Sequence, residues 1–233
     1  MIVYELQPYF KDRTDAGQKL GDELRKMHLV NPAVLAIPRG GVPVSVEVAI
    51  ALDAPLDVIV TRKIQIPQNP EAGYGAVTED GEIVLNKALV FQLGLTDSQI
   101  QKQADQVRKE IARRGSVFRN ILAPVSLNDR TAILIDDGLA SGYTMLAAIK
   151  SCRRRGALKT IVAVPASSES ACSLVRSEAD SVVSLYVART RYFAVASFYV
   201  NWYDLDDDEV LYHIGEWHKR RDQQQENRTR LTG

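Results

Sequence analysis

The 233-residue sequence lacks several features that would indicate particular classes of protein. Lys and Arg together number 29, and Asp and Glu also number 29, so no net positive charge attracts nucleic acid or an anionic membrane. The two cysteines, Cys152 and Cys172, have neither CxxC spacing nor clustered histidines near them, which argues against a zinc site or a disulfide framework. We interpret both as reduced thiols of the core.

Long hydrophobic runs are also missing, because 18 apolar residues nowhere occur together. The N-terminal segment MIVYELQPYF has no basic stretch followed by an apolar one, so it does not resemble a secretory signal. We therefore expect a cytoplasmic protein. The composition, 45% hydrophobic and 25% charged, is that of an ordinary globular domain.

Short apolar segments alternate with helix-like segments along most of the chain. The apolar segments are 33–37, 56–61, 131–136, 159–164 and 181–186. This alternation is typical of βαβ units, and it predicts an α/β fold with a doubly wound, mainly parallel sheet and helices on both faces. Asp12 is the expected N-cap of the first helix.

An insertion at about 64–125 interrupts the alternation. It contains a predicted hairpin that turns at Asp80-Gly81, followed by a long helix with the capping-box pair Thr96 and Gln99. We expect one domain over 1–218. Its small C-terminal elements, at about 186–210, are called the hood below. The polar tail, 219–233, has too few apolar residues to form a core, so we expect it to be disordered.

Two adjacent carboxylates, Asp136 and Asp137, directly follow the predicted buried strand TAILI. Doubly wound sheets bind their ligands at this edge, where the carboxyl ends of the strands lie. The two carboxylates would lose hydration and repel each other unless cations or hydroxyl donors compensate them. A ribose diol and a Mg²⁺ ion could supply both. A solvated turn with an aspartate N-cap is the alternative interpretation.

Small residues follow the acidic pair. Gly138, Ala140, Ser141 and Gly142 allow backbone N–H groups to approach an anion, and Ser141 and Thr144 add hydroxyl donors. The next helix would direct its positive N-terminal end toward the same point. This combination favours phosphate as the ligand.

The segment ILIDDGLASGYTM resembles the signature of the type I phosphoribosyltransferase family, in which two acidic residues and a small loop follow a hydrophobic strand. The resemblance implies that Asp136 and Asp137 contact the ribose hydroxyls of phosphoribosyl pyrophosphate (PRPP), directly or through Mg²⁺-bound water. We assign both also to catalysis, because their charges would favour the cationic ribose. The resemblance also implies that the loop binds PRPP, with the 5′-phosphate at 140–144. The loop residues are Gly138, Leu139, Ala140, Ser141, Gly142, Tyr143 and Thr144.

One position departs from the signature. Family members that use 6-oxopurines usually have an aspartate where this sequence has Ala140, and that aspartate can exchange a proton with the purine. Alanine cannot do so. The loop therefore looks more like those of adenine- or uracil-type members, and the acceptor stays open.

A second small-residue loop, Pro38-Arg39-Gly40-Gly41, lies at the end of the first predicted strand. Its glycines permit unusual backbone angles, and Arg39 offers a forked donor that matches phosphate oxygens. The resemblance implies that this loop binds pyrophosphate and has a non-proline cis peptide bond nearby. An ordinary Gly-Gly turn is the alternative.

Two further segments have expected roles at the site. Arg62 and Lys63 precede IQIPQNPEAGYGAV, where the family has a mobile flap, and we assign both to PRPP binding and Lys63 also to catalysis. A simple basic strand end is the alternative. Tyr192 or Phe193, in the aromatic hood segment, could stack on a planar acceptor. Packing in the core is the alternative for both.

The whole pattern, including PRGGVPV and FAVASFYVNWYDLDDDEV, is similar to a phosphoribosyltransferase-like subgroup of bacteria and archaea whose acceptors are generally unassigned. It implies an enzyme of nucleotide metabolism that uses Mg²⁺ and transfers the 5-phosphoribosyl group of PRPP to a nitrogenous acceptor, with a nucleobase as a candidate. Whether the protein forms a homodimer stays open. A PRPP sensor that has the same fold but does not catalyse transfer is the alternative. A domain for NAD or ATP is disfavoured because neither GxGxxG nor the P-loop pattern occurs.

Overall fold

A parallel sheet forms the centre of the computed structural model, which describes residues 9–66, 69–190 and 192–232. Its strands are β1 (Pro32–Ala36), β2 (Leu56–Val58), β6 (Thr131–Ile135), β7 (Lys159–Ser168) and β8 (Ser181–Ala188). They are arranged in the order β2-β1-β6-β7-β8, and every neighbouring pair is parallel. A smaller antiparallel sheet contains β3 (Thr61–Ile66), β4 (Asn69–Thr78) and β5 (Ile83–Leu85).

Helices cover both faces of the central sheet, as predicted. They are α1 (Arg13–Leu24), α2 (Gly41–Leu52), α3 (Lys87–Gln92), α4 (Asp97–Arg119), α5 (Tyr143–Arg154), α6 (Glu169–Arg176) and α7 (Asp207–Thr232), with a 3-10 turn at Val195–Phe198. Val34 and Ile133 belong to the hydrophobic cluster that includes α1, α2 and α7. Their neighbours Leu35 and Leu134 belong to the cluster that includes α5 and α6. This alternation shows why the strands are apolar throughout.

The strand order places a topological switch point between β1 and β6. From β1 the chain proceeds to β2 on one side, whereas from β6 it proceeds to β7 and β8 on the other. Ala36 and Ile135 are register partners, and the Ile37 N–H donates to the Ile135 carbonyl at 2.9 Å. The loops after β1 and β6 therefore leave the sheet side by side, where doubly wound folds bind ligands.

The structure confirms the hairpin and the long helix that were predicted in the insertion. Strands β4 and β5 pair antiparallel, and α4 begins with the Thr96 and Gln99 capping box. The predicted strand 56–61 is wrong in one respect, because β2 ends at Val58 and Thr61 begins β3 in the second sheet. Both parts of the segment are buried, so hydrophobicity cannot mark the position where the chain changes sheets.

The prediction of a disordered tail from 219 onward is also wrong, because α7 continues to Thr232. Arg220 donates to both carboxylate oxygens of Glu47 in α2, at 2.5 and 3.0 Å, and Arg228 forms an ion pair with Asp53. Lys, Arg, Gln and Glu are also good helix formers. The tail needs few apolar residues because ion pairs attach it to α2.

The two cysteines lie in the core, as their sequence context predicted. Cys152 and Cys172 are free and buried, and burial raises the pKa of Cys152 to about 12. Their role as core thiols is confirmed. Among the described residues, no helix is both long enough and apolar enough to cross a membrane.

A fully buried carboxylate, Asp57 in β2, connects the insertion to the central sheet. It forms an ion pair with Arg119 at the end of α4, and its Oδ2 lies 3.2 Å from Arg155 Nη2 after α5. The same Oδ2 accepts the Val125 N–H at 3.0 Å. Asp57 therefore holds together three segments that are far apart in the sequence.

Asp57→Ala should lower the free energy of unfolding by about 3 kcal/mol, because two guanidinium groups lose a shared buried carboxylate. Urea denaturation at pH 7 measures this change. Asp22→Ala is the matched control, since the side chains of Asp22 and Arg25 are 68% and 55% exposed and pair on the surface. The control should lose less than about 1 kcal/mol. Equal losses in the two variants would contradict the role of Asp57.

Candidate anion-binding site

A cavity of about 290 Å³ opens at the sheet edge where β1 and β6 end. Four cationic side chains and one carboxylate share its wall, so the cavity suits a ligand with several negative charges. It contains most of the predicted charged site residues in one place. The lining residues are Ile37, Pro38, Arg39, Thr61, Arg62, Lys63, Gln65, Arg114, Asp136 and Thr144.

The loop after β1 lies directly against the acidic pair. A Cβ atom added to Gly40 would stand 1.8 Å from Asp137 Oδ2, and one added to Gly41 would stand 2.9 Å from the Asp136 Cα. Only glycine leaves enough space for this approach. The peptide bond between Pro38 and Arg39 is cis, as the family resemblance implies.

Asp137 forms a hydrogen-bonded ion pair with Arg13, a residue that the sequence did not predict to be part of the site. Arg13 Nε and Nη2 lie 2.9 and 2.8 Å from Asp137 Oδ2, and Arg13 Nη1 donates to the Tyr203 carbonyl at 2.9 Å. The guanidinium also stacks 3.9 Å from the ring centroid of Trp202. One signal could have found Arg13: it lies on the buried side of amphipathic α1, in line with Leu20.

Asp136 has a different environment from Asp137, because its side chain faces the cavity. Its Oδ1 accepts the Asp137 N–H at 2.9 Å. Burial and the adjacent Asp137 charge raise the pKa of Asp136 well above its usual range. Burial also raises the pKa of Asp137, although the Arg13 charge opposes that increase. A cation in the cavity would favour the ionised form of Asp136.

The first part of the loop after β6 is anchored to the protein. A Cβ on Gly138 would meet Val195 at 2.5 Å, because the hood packs there. The Leu139 N–H donates to the Ala166 carbonyl, and its own carbonyl accepts the Ser168 N–H, both at 2.9 Å. Leu139 has a buried side chain as well. Leu139 therefore anchors the loop to β7, and its contact with PRPP stays a prediction.

The second part of the loop opens α5. Gly142 is the N-cap with φ of 83°, a left-handed conformation that favours glycine. Ala140 and Ser141 are exposed, Tyr143 packs at the edge of the core, and Thr144 lines the cavity. The first-turn N–H groups of α5 have no intrahelical acceptors, so they are suited to an anion.

The hood contacts the acidic loop through Tyr199, which sequence analysis also missed. Its hydroxyl donates to the Asp137 carbonyl at 2.6 Å. Phe193 packs against Phe198 with ring centroids 5.3 Å apart, whereas the side chain of Tyr192 is 87% exposed. Stacking of Tyr192 or Phe193 on an acceptor stays a prediction.

Strand β3 and helix α4 supply three of the cavity's cations. Arg62 and Lys63 lie on β3, and Arg62 Nη1 is 2.8 Å from Glu110 Oε2 on α4. Arg114 of α4 was not predicted as a site residue, because nothing local in the sequence distinguishes it from the other charged residues of this helix. Pro67 and Gln68 in the expected flap lie outside the described residues, so flap closure stays a prediction.

The sequence matches the family model of the phosphoribosyl transferase domain over residues 15–200. The chain belongs to this family. It is 38% identical over 210 residues to the Mycobacterium tuberculosis H37Rv protein named "Putative phosphoribosyl transferase", with 90% of this chain and 47% of that protein covered. The match to the strain CDC 1551 counterpart has the same values. The chain thus spans about half the length of these curated relatives.

Solved structures include one that this phosphoribosyltransferase-family chain resembles along most of its length. The crystal structure of TT1426 from Thermus thermophilus has a TM-score of 0.75 and 35% sequence identity. The alignment covers 89% of this chain and 98% of TT1426. The fold and the family are therefore those that the acidic motif predicted.

Asp136→Asn should make the unliganded protein more stable than the wild type at neutral pH. Because the folded pKa of Asp136 is raised, its stabilising contribution is complete below the unfolded pKa and is lost as pH rises through the folded pKa. Asparagine carries no charge and can still accept the Asp137 N–H. As pH rises from 4 to 8, the melting temperature of the variant should therefore exceed that of the wild type by an increasing amount. Parallel curves for the variant and the wild type would contradict this.

Proposed function

We propose that the chain binds PRPP with Mg²⁺ and transfers its 5-phosphoribosyl group to a nitrogenous acceptor, releasing pyrophosphate. The observation that carries this proposal is the single cavity where Arg39, Arg62 and Lys63 stand with Asp136 at the switch point. Such a set of charges matches a sugar that bears a diphosphate. Family membership supports the same reaction class.

Each part of PRPP has a proposed set of contacts. Residues Ala140, Ser141, Gly142, Tyr143 and Thr144, at the start of α5, hold the 5′-phosphate through backbone N–H groups and hydroxyls. The loop of Arg39, Gly40 and Gly41 binds the diphosphate together with Arg62 and Lys63. Asp136 contacts the ribose hydroxyls, and Asp137 positions the loop while it is bonded to Arg13.

The residues at the cavity fit Mg²⁺ when the substrate supplies further oxygen ligands. The described residues include no group of three or more His, Cys, Asp or Glu side chains that could hold a metal. Mg²⁺ is commonly bound by one or two carboxylates, substrate phosphates and water. Asp136 is the proposed carboxylate ligand, directly or through water, since Asp137 Oδ2 is bonded to Arg13. When bound, the metal would neutralise charge on the diphosphate.

In the proposed reaction, the bond between C1′ and the pyrophosphate oxygen breaks, and its electron pair leaves with pyrophosphate. Arg39, Arg62 and Lys63 stabilise this developing charge, and Asp136 favours the cationic ribose. The acceptor nitrogen then forms its bond to C1′. Ala140 offers no base, so the proton of an N–H acceptor passes to water.

A PRPP sensor is the second candidate function, and the Arg13–Asp137 ion pair favours it. This pair occupies an oxygen that the family resemblance assigns to ribose contact or metal-bound water. A sensor would bind PRPP and regulate a partner without breaking the bond at C1′. The homodimer and the cytoplasmic location stay predictions from the sequence.

Calorimetric titration with PRPP and Mg²⁺ tests binding, and a screen for pyrophosphate release with nucleobases, beginning with adenine and uracil, tests transfer. We expect binding and release, and Asp136→Asn should reduce release by about 100-fold or more because a charge facing the ribose is lost. Asp22→Asn should leave release unchanged.

Unchanged release by Asp136→Asn would contradict the role given to the acidic pair. Binding without release for every acceptor would favour the sensor. Binding of NAD or ATP without binding of PRPP would overturn both functions.

A further inference from the structure

Arg114 is less exposed than Arg62, its neighbour in the cation set of the cavity. Its side chain is 16% exposed, compared with 30% for Arg62, and it reaches the cavity from α4. Burial is the main cause that lowers the pKa of Arg114, and the nearby charges of Arg62 and Arg39 lower it further. The fold thus places a third guanidinium where hydration is poor and like charges are close.

Asp207 supplies the counter-charge to this guanidinium and opposes the lowering of its pKa, but the ion pair between them is long. Arg114 Nε lies 3.4 Å from Oδ1 of Asp207, in the first turn of α7. Both atoms are buried, and neither forms a hydrogen bond within the part of the chain that the structure describes. Buried polar atoms in native proteins normally have a partner, so this contact leaves binding capacity unused on Arg114.

Asp207 can be separated from Arg114 without becoming an isolated charge. It lies in the N-terminal turn of α7, where the helix dipole stabilises a carboxylate. A phosphate group in the cavity could therefore take Asp207's place as the main anionic partner of Arg114. Arginine is suited to this exchange because its planar fork can donate two hydrogen bonds to phosphate oxygens.

We propose that Arg114 is a diphosphate-binding residue that the insertion contributes to the cavity, and that a bound diphosphate replaces Asp207 as its main partner. The inference rests on the proposed function, because that function places a diphosphate in this cavity. It also assigns a specificity role to α4. A sugar monophosphate held at α5 would leave Arg114 paired with Asp207, whereas a ligand with a diphosphate would engage it.

The test is calorimetry at constant Mg²⁺ and salt with three probes, which are inorganic pyrophosphate, PRPP and ribose 5-phosphate. Arg114→Gln should weaken binding of pyrophosphate and PRPP by about 10- to 100-fold, as expected for a lost charged hydrogen bond, and should change ribose 5-phosphate binding less than about twofold. A general structural defect would weaken all three. Arg113→Gln is the matched control, because it removes the same charge from the adjacent, exposed helix position. Its effect on every probe should stay below about threefold.

Asp207→Asn tests the exchange of partners. If Asp207 competes with the diphosphate for Arg114, this variant should bind pyrophosphate at least as tightly as the wild type. Weakening as large as that caused by Arg114→Gln would overturn the exchange. Arg114→Lys keeps the charge without the fork, so it should weaken pyrophosphate binding less than Arg114→Gln and serves as the test if Arg114→Gln does not fold.

The remaining outcomes separate this inference from the proposed function. If the wild type binds pyrophosphate and Arg114→Gln behaves like Arg113→Gln, the role of Arg114 is overturned while the proposed function stands. If the wild type binds pyrophosphate but not PRPP, the proposed function is overturned while the role of Arg114 can stand. Failure to bind either probe would overturn both.

Discussion

The site depends on contact between the loop after β1 and the acidic pair after β6. Gly40 and Gly41 have no space for a methyl group, because Asp137 and Asp136 occupy it. Parallel pairing of β1 with β6 sets this distance, since hydrogen bonding continues one residue past β1 to Ile37. The backbone of Gly40 and Gly41 therefore packs directly against Asp136 and Asp137. Arg39, from the same loop, lines the cavity beside them.

This close contact has an electrostatic consequence. Two adjacent carboxylates with little hydration repel each other, and the direct ion pair with Arg13 is made by Asp137. Asp136 faces the cavity with a raised pKa, so the unliganded state retains a cost that a cationic ligand can relieve. Under the proposed function, the same arrangement links binding to stability, because the repulsion that destabilises the unliganded site would favour a cationic ligand.

The small antiparallel sheet and helix α4 complete the cavity. Strand β3 supplies Arg62 and Lys63, and α4 supplies Arg114, so most of its positive charge comes from outside the central sheet. Helix α4 is held in place at its end by Arg119, which pairs with the buried Asp57 of β2. The small sheet also packs against α5, which opens with the phosphate loop of the proposed function. Helix α4 thus carries both a structural ion pair and a cation of the cavity wall.

The sequence by itself determined the alternating elements, the hairpin, the α4 capping box and the acidic motif, because each is encoded by residues a few positions apart. Periodicity and local hydrogen bonds follow directly from such spacing. Only the tertiary structure decided the partner of Asp137, since Arg13 lies 124 positions away in the sequence. It also decided that the C-terminal tail is helical, since the ion pairs of the tail are made with α2. The same holds for Arg114, whose charge could have faced solvent. Contacts between distant segments leave no periodic trace, so folding alone reveals which charges meet.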